Sequence, residues 1–345
     1  MASLRLGIIS TANINQRAVI QVLPHLKGVE LFGVASRSKA KARAYRHKYK
    51  TPKAYETYEE LLSAPELDAV YISAPNALHA ELTIRALMQG KHVLCEKPLC
   101  SDPAQALVIE ELARKRNLYV AEAMHYRHHP SLREAVAEIR AGIIGEIKNI
   151  DVSFVWDLQN PRDIRLDPAL GGGALMDVGC YCLDFIRWLT RDDEPTLLEA
   201  SAEYSESGVD TSITAELLCS DTISAKFHCD LHAEAFDCRA AISGTRGSVL
   251  LRYPFLPVTS DSQSAEILFS YEVNGEKRNV DIPEKTSYLY QLKNFRDRIQ
   301  NGLPAIEPAR TDFYYNAVIL GKIKDKIRKN TAASKQASEV IKEKP

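Results

Sequence analysis

The chain has 345 residues, 45% of them hydrophobic and 26% charged, enough for two domains with separate cores and too much for one small module. Its 44 Lys and Arg against 45 Asp and Glu give a formal charge of −1, which supplies no net basic field for nucleic acid or an anionic membrane and points to small-molecule partners. No apolar run approaches the ~20 residues of a membrane helix, and "MASLRLGIIS" runs into a strand rather than a signal peptide, so a cytoplasmic protein is expected.

In chain order, "LRLGIIS" reads as a strand, "NQRAVIQVLPHL" as a helix, "VELFGVAS" as a strand and "KAKARAYRHKY" as a helix. "LDAVYISAP", "HAELTIRALMQG", "HVLCEK", "PAQALVIEELARKRN" and "LYVAEAM" continue the alternation of strand and helix. This is the pattern of a Rossmann-type, doubly wound α/β domain with a parallel sheet over residues 1–125, whose ligands bind at the carboxyl ends of the strands. Beyond it one helix, "SLREAVAEIRAG", leads into long alternating strands: "IKNIDVSFVWD", "LLEASAEYS", "SITAELLCS", "ISAKFHCDLH", "CRAAISGTRGSVLLR" and "AEILFSYEV". They predict an α+β domain over 126–330 with a large, mostly antiparallel open sheet. The helices "SYLYQLKNFRDRIQNG" and "TDFYYNAVILGKIKDKIRKN" close it and are free to pack back on the first domain, and 331–345 reads as a frayed tail.

Seven cysteines form no short-spaced framework and are expected as free thiols. Cys180 and Cys182 lack the C-x2-C spacing and a second half-site for zinc, and the cluster His125, His128 and His129 lacks acidic or thiolate partners at ligand spacing. No metal is expected.

After the first strand, Ser10, Thr11, Ala12 and Asn13 are small residues at a strand-to-helix turn, where a phosphate cradle needs close backbone approach, although the second and third glycines of G-x-G-x-x-G are missing. A well-capped helix start is the plainer reading. The second strand ends in Ala35, Ser36 and Arg37 rather than in the Asp or Glu that receives a ribose 2′-hydroxyl, and Lys41 follows. A hydroxyl, a guanidinium and a further cation suit a 2′-phosphate, hence NADP. The same cations also suit a solvated helix face, the reading preferred for Lys39 and Arg43. Asn76 and His79 follow one strand and Lys97 another, between Glu96 and Pro98. An ordinary ion pair with Glu96 is the alternative to a catalytic role for Lys97.

"YISAPNALHAELTIRALMQGKHVLCEKPL", "EAMHYRHHP" at Glu122 to Pro130 and "GGGALMDVGCYCLDFIRWL" at Gly171 to Leu189 together resemble the signatures of the glucose-fructose oxidoreductase and inositol dehydrogenase (Gfo/Idh/MocA) superfamily. The lesser marks "SGTRGSVLL" and "YLYQLKNFRDRIQNG" extend the resemblance over Leu4 to about Lys329. It implies that Lys97 is the catalytic lysine of the E-K-P segment and that Asp177 orients the reacting group, a helix cap being its alternative. Inositol dehydrogenases have His where this chain has Tyr181, and tyrosine there resembles the branch of NADP-dependent D-xylose dehydrogenases and dimeric dihydrodiol dehydrogenases. The resemblance further implies a cofactor site that takes in Ile14, Ala74, Pro75, Glu96, Arg127 and Arg165, and substrate contacts from Tyr126, Lys97, Asp177 and Tyr181. Arg165 is equally readable as a surface ion pair with Asp163 or Asp167.

The expected chemistry is transfer of a hydride between NADP and a sugar such as D-xylose or D-glucose. Tyr181 exchanges the hydroxyl proton, and the Lys97 ammonium draws its phenol toward working range. A trans-dihydrodiol dehydrogenase or sugar ketoreductase, and a non-catalytic NADP-sensing regulator, are the other readings. A homodimer is expected from the resemblance alone.

Overall fold

The computed structural model describes residues 2–256, 270–278, 285–302 and 311–342. Strands β1 (Leu4–Ile9), β2 (Val29–Ala35), β3 (Ala54–Tyr55), β4 (Ala69–Ile72), β5 (His92–Cys95) and β6 (Val120–Glu122) make a parallel sheet in the order β3-β2-β1-β4-β5-β6. All four residues of β4 are buried, as expected of a central parallel strand covered on both faces. The strand order reverses between β1 and β4, which opens a crevice at their carboxyl ends.

Helices α1 (Lys39–Tyr49), α2 (Tyr58–Leu62), α3 (His79–Met88) and α4 (Pro103–Arg116) cover this sheet. Ser38, Thr57 and Asp102 cap α1, α2 and α4 by accepting from Lys41, Glu60 and Ala104 N–H groups. The predicted helix "NQRAVIQVLPHL" is instead a π turn at Gln16–Ile20 and a 3-10 turn at Leu23–His25. Pro24 has no N–H to give and its ring clashes with a regular helical path.

The second sheet holds β7 (Ile147–Asp157), β8 (Thr196–Tyr204), β9 (Asp210–Cys219), β10 (Ile223–Asp230), β11 (His232–Gly244), β12 (Gly247–Arg252), β13 (Ser270–Val273) and β14 (Glu276–Arg278). Their order is β14-β13-β12-β11-β7-β10-β9-β8, antiparallel except for the pair of β7 with β10. Burial alternates along β9 and β10, so Ile213, Ala215, Leu217, Ala225 and Phe227 face the core while Thr214, Glu216, Ser224 and Lys226 face outward. α5 (Pro130–Arg140) and α6 (Cys180–Thr190) supply Leu132, Val136, Phe185 and Ile186 to that core. Pro168–Thr190 is the one segment, among the described residues, long and apolar enough to cross a membrane, contrary to the expectation of none; its most apolar stretch is largely buried and serves as core. The first five residues of the predicted strand "AEILFSYEV" lie outside the described residues.

Helix α7 (Ser287–Gln300) puts Tyr288, Leu292 and Phe295 into the first domain's core beside Leu6 and Ile8. Helix α8 (Asp312–Lys342) gives Phe313 and Ala317 to the first domain and Ile319, Leu320 and Ile323 to the second. It continues to Lys342, past Thr331 where a frayed tail is predicted, because Ala, Lys, Gln and Glu dominate there and favour helix. Its first turn closes a polar seam between the domains. Asp184 accepts from Arg127 Nε at 2.7 Å and Nη2 at 2.6 Å, Arg127 Nη1 donates to Asp312 at 2.7 Å, and Asn316 Nδ2 donates to Asp184 at 3.0 Å and to Glu122 at 3.1 Å.

Candidate active site

Three side chains converge where the carboxyl end of β5 meets the N-terminal end of α6. Lys97 Nζ donates to Asp177 Oδ1 at 2.9 Å and to the Asp177 carbonyl at 2.5 Å, and stands 4.8 Å from the centre of the Tyr181 ring. Asp177 lies in a π turn, Leu175–Gly179, that runs directly into α6 and brings Tyr181 round onto the same side. Lys97 and Asp177 side chains are each 12% exposed and Tyr181 is 7% exposed. Asp177 is therefore no mere helix cap. Its second oxygen accepts from Arg165 Nε at 2.8 Å, and Arg165 also lies 3.0 Å from Asp163 and over the ring of Trp156.

The run Gly171–Gly173 makes this arrangement possible. A Cβ on Gly172 would collide with the carbonyl oxygen of Arg165, which accepts from the Gly173 N–H at 2.9 Å. Gly173, at φ +122°, lies so close to Asp210 that a Cβ would overlap its carboxylate, and Asp210 in turn accepts from the Leu175 N–H at 2.7 Å. Asn76 donates its side-chain N–H to the carbonyl of Gly171 at 3.1 Å, which docks the loop on the first domain.

Burial works against the Lys97 ammonium, but Asp177, Cys180 and Glu96 outweigh it and hold its pKa above that of an ordinary lysine. Burial would raise Asp177, yet Lys97 and Arg165 together hold it below the usual carboxylate range. The pair is thus ionised, and Lys97 acts as a donor rather than a base. Tyr181 departs from the sequence expectation: burial, with Tyr288 and Glu96, pushes its phenol well above the ordinary value. Lys97 faces its ring and spends two N–H groups on Asp177. His125, pushed down to about 3 by burial and then by Lys97, is a neutral ring edge-on to Tyr181 and stacked on Tyr288.

At the carboxyl ends of β1 and β2, Thr11, Ala12 and Ile14 are half-buried and Asn13 is exposed. Ser10 adopts φ +91°, a conformation normally left to glycine. Its carbonyl accepts from Asn15 Nδ2 at 3.0 Å, and Ser73 Oγ donates to Asn15 Oδ1 at 2.6 Å. A serine thus takes the glycine's place because Asn15 and Ser73 hold it there. Ser36 is buried; Arg37 is exposed beside the Tyr58 hydroxyl; Lys39 and Arg43 are both drawn to Glu56; and Lys41 is exposed. The end of β2 itself offers a guanidinium and a hydroxyl, and the Glu56 carboxylate just past the neighbouring strand β3 is taken up by Lys39 and Arg43; the donor set fits a phosphorylated ribose.

The pattern described as "Oxidoreductase family, NAD-binding Rossmann fold" matches residues 4–124, and that described as "GFO/IDH/MocA C-terminal domain" matches residues 132–250. The chain belongs to the GFO/IDH/MocA oxidoreductase family. Trans-1,2-dihydrobenzene-1,2-diol dehydrogenase of Xenopus tropicalis is 33% identical over 86% of this chain and 89% of its own. D-xylose 1-dehydrogenase (NADP(+)) 2 of Haloferax volcanii is 36% identical over 61% of this chain and 64% of its own. A 3-ketoreductase from Actinomadura kijaniata, solved with NADP and TDP-benzene, superimposes with a TM-score of 0.84 at 25% identity, covering 94% of this chain and 98% of the other. Relatives of this oxidoreductase are thus dehydrogenases and reductases acting on CH–OH groups.

Within this GFO/IDH/MocA chain, four predicted contacts have other work. His79 is 1% exposed, with its ring nitrogens 2.7 and 2.8 Å from the carbonyls of Ala74 and Pro98, so it braces the loops after β4 and β5 and its ring cannot reach a cofactor. Tyr126 is fully buried and bonds its hydroxyl to Asp184, which removes it from substrate contact. Arg127 is taken up by Asp184 and Asp312. The Glu96 side chain accepts from the Tyr71 hydroxyl at 2.5 Å, and burial raises its pKa. Ala74, Pro75 and Asn76 form the turn at the carboxyl end of β4. Sequence reasoning missed Asn15, Ser73 and Asp210; "N" five residues after a cradle serine and "D" at the start of β9 carry no local signal of those bonds. All seven cysteines are free and buried, and among the described residues no three His, Cys, Asp or Glu side chains assemble as a metal site.

Proposed function

We propose that the protein is an NADP-dependent oxidoreductase that interconverts a ring hydroxyl and the corresponding carbonyl, on a pyranose such as D-xylose or D-glucose. The observation that carries this reading is the ionised Lys97–Asp177 pair set against Tyr181 beside the crevice of the parallel sheet. The cofactor, when bound, accepts or supplies the hydride. Asp177 fixes the Lys97 ammonium, whose remaining N–H is free for the substrate oxygen. The Tyr181 hydroxyl exchanges the proton with that oxygen. Because burial keeps the phenol protonated, it serves directly as the acid in carbonyl reduction, and it must first lose its proton to act as the base in oxidation. Oxidation should therefore rise with pH through the alkaline range while reduction does not. Ser36 and Arg37 support NADP over NAD.

A second reading, oxidation of a trans-dihydrodiol, draws on the Xenopus relative. The test is NADPH formation with a panel of aldoses and cyclic trans-diols, beside Lys97→Met, Tyr181→Phe and Arg37→Asp. The first two should lose two or more orders of magnitude in kcat and still bind NADPH, and the third should lose preference for NADP. Near-native kcat in either of the first two rejects its role; tight NADP binding with no turnover on any substrate indicates a regulator. The outward face of the eight-stranded sheet, with a shallow depression of about 570 Å³ around Asp151, Lys226 and Leu250, is the proposed surface of a homodimer. A monomer mass by light scattering at working concentration would reject it.

A further inference from the structure

Asp177 divides its carboxylate between two cations. Oδ1 receives Lys97 at 2.9 Å and Oδ2 receives Arg165 at 2.8 Å. Arg165 reaches it from a separate loop, and that loop is built to deliver it. The Arg165 carbonyl is held by the Gly173 N–H, and the Gly173 carbonyl accepts from the Asp177 N–H at 2.9 Å, so one residue ties the main chains of both partners together. Asp163 grips the Arg165 N–H and its Nη1, each at 3.0 Å, and Trp156 lies under the guanidinium.

We propose that Arg165 is a positioning residue for the proton-transfer pair: by occupying Oδ2 it turns Oδ1 onto Lys97 and withholds part of the carboxylate's charge from that ammonium. This rests on the reading of Lys97 and Tyr181 as that pair. With Arg165 in place, Asp177 orients Lys97 without capturing it, and the third N–H of Lys97 stays available on the side of Tyr181 and the substrate. Without it, the whole negative charge of Asp177 falls on Lys97, whose other charged or titratable neighbours are Glu96, Cys180, His79 and His125, with the Tyr181 ring beside it. The ammonium is then held harder by Asp177 and does less for a developing charge on Tyr181 or the substrate oxygen.

The experiment is the pH dependence of amine labelling at Lys97, followed by peptide mass spectrometry, in the native protein, Arg165→Gln, Arg165→Lys, Asp177→Asn and Asp177→Asn with Arg165→Gln. This readout needs no turnover, so it decides the matter even if the substrate panel fails. Arg165→Gln should raise the midpoint of labelling by about one pH unit, Arg165→Lys should restore it, and Arg165→Gln should have no further effect once Asp177 is Asn. In the active enzyme Arg165→Gln should lower kcat about tenfold and leave NADPH affinity within about twofold. A labelling midpoint that stays put, or that moves equally without Asp177, overturns the proposal. So does a defect confined to KM or to cofactor affinity, which would make Arg165 a ligand contact.

Discussion

Ser10 occupies a glycine's conformation without being glycine, and the arrangement has a measurable cost. A non-glycine residue at φ +91° is strained by about 1–3 kcal/mol, and it persists because Asn15 and Ser73 hold the turn. Ser10→Gly should therefore stabilise the protein by about 1 kcal/mol, the relief of strain being partly offset by the freer unfolded chain, read as a higher urea midpoint. An unchanged or lowered midpoint would mean that the Ser10 hydroxyl contributes something the backbone argument leaves out. At this scale the sequence is unevenly legible. Lys97, Asp177 and Tyr181 stand out because the segments that carry them, "CEKPL" and "GGGALMDVGCYC", resemble the signatures of the family. Of the two partners of Arg165, Asp163 is legible because it is a neighbour in sequence, whereas Asp177 is brought alongside by the backbone turn at Gly171–Gly173. His79 looked like a ligand contact because it follows a strand; only the fold reveals two carbonyls closing on its ring.

At the scale of elements, periodicity carried most of the fold. Buried runs such as β4 and alternating ones such as β9 declare which kind of sheet they enter, and "SLREAVAEIRAG" declares its helix through the spacing of Leu132, Ala135, Val136 and Ile139. What escaped was short or tertiary. β3 has two residues and α2 five, too few for a period to register. The parallel pairing of β7 with β10 is invisible in either strand, because both alternate as any half-buried strand does and the choice of neighbour is made by the chain path. The π turn at Leu175–Gly179 is also unreadable from composition, yet it matters for chemistry. Asp177 within it accepts from Lys97 through both its side chain and its carbonyl, and Tyr181, four residues and about one helical turn further on, bears on the same ammonium.

Across the whole molecule, the same helix that joins the two cores also closes the polar seam between them, and one carboxyl of that seam makes stability depend on pH. Glu122 accepts from the Leu99 N–H at 2.8 Å, just beyond Lys97, and from Asn316 of α8 at 3.1 Å. Burial, followed by the charge of Asp184, pushes its carboxyl up to about 7, against which Leu99, Asn316 and Arg127 pull only partly. The sign follows directly. A carboxyl with a raised pKa binds its proton more tightly in the folded state, so folding is favoured while Glu122 is protonated, below its unfolded value near 4.5. That contribution is lost as pH rises from there through about 7. Its size is on the order of 3 kcal/mol by the free energy of one proton, opposed in the full pH profile by Asp177 and Asp312, whose lowered pKa values favour folding above the acid range. Glu122→Gln isolates the term. Gln keeps one acceptor and places an amide against Asn316, so the variant should be less stable than the native protein near pH 5, by about 1–2 kcal/mol. The deficit should shrink or reverse by pH 8, where the native side chain carries a buried charge that its partners offset only in part. Denaturant titrations at the two pH values measure the difference between proteins, in which the unrelated carboxylates cancel. A deficit that stays constant from pH 5 to 8 would show that Glu122 titrates alike in the folded and unfolded states, and that the seam is not a source of pH-dependent stability.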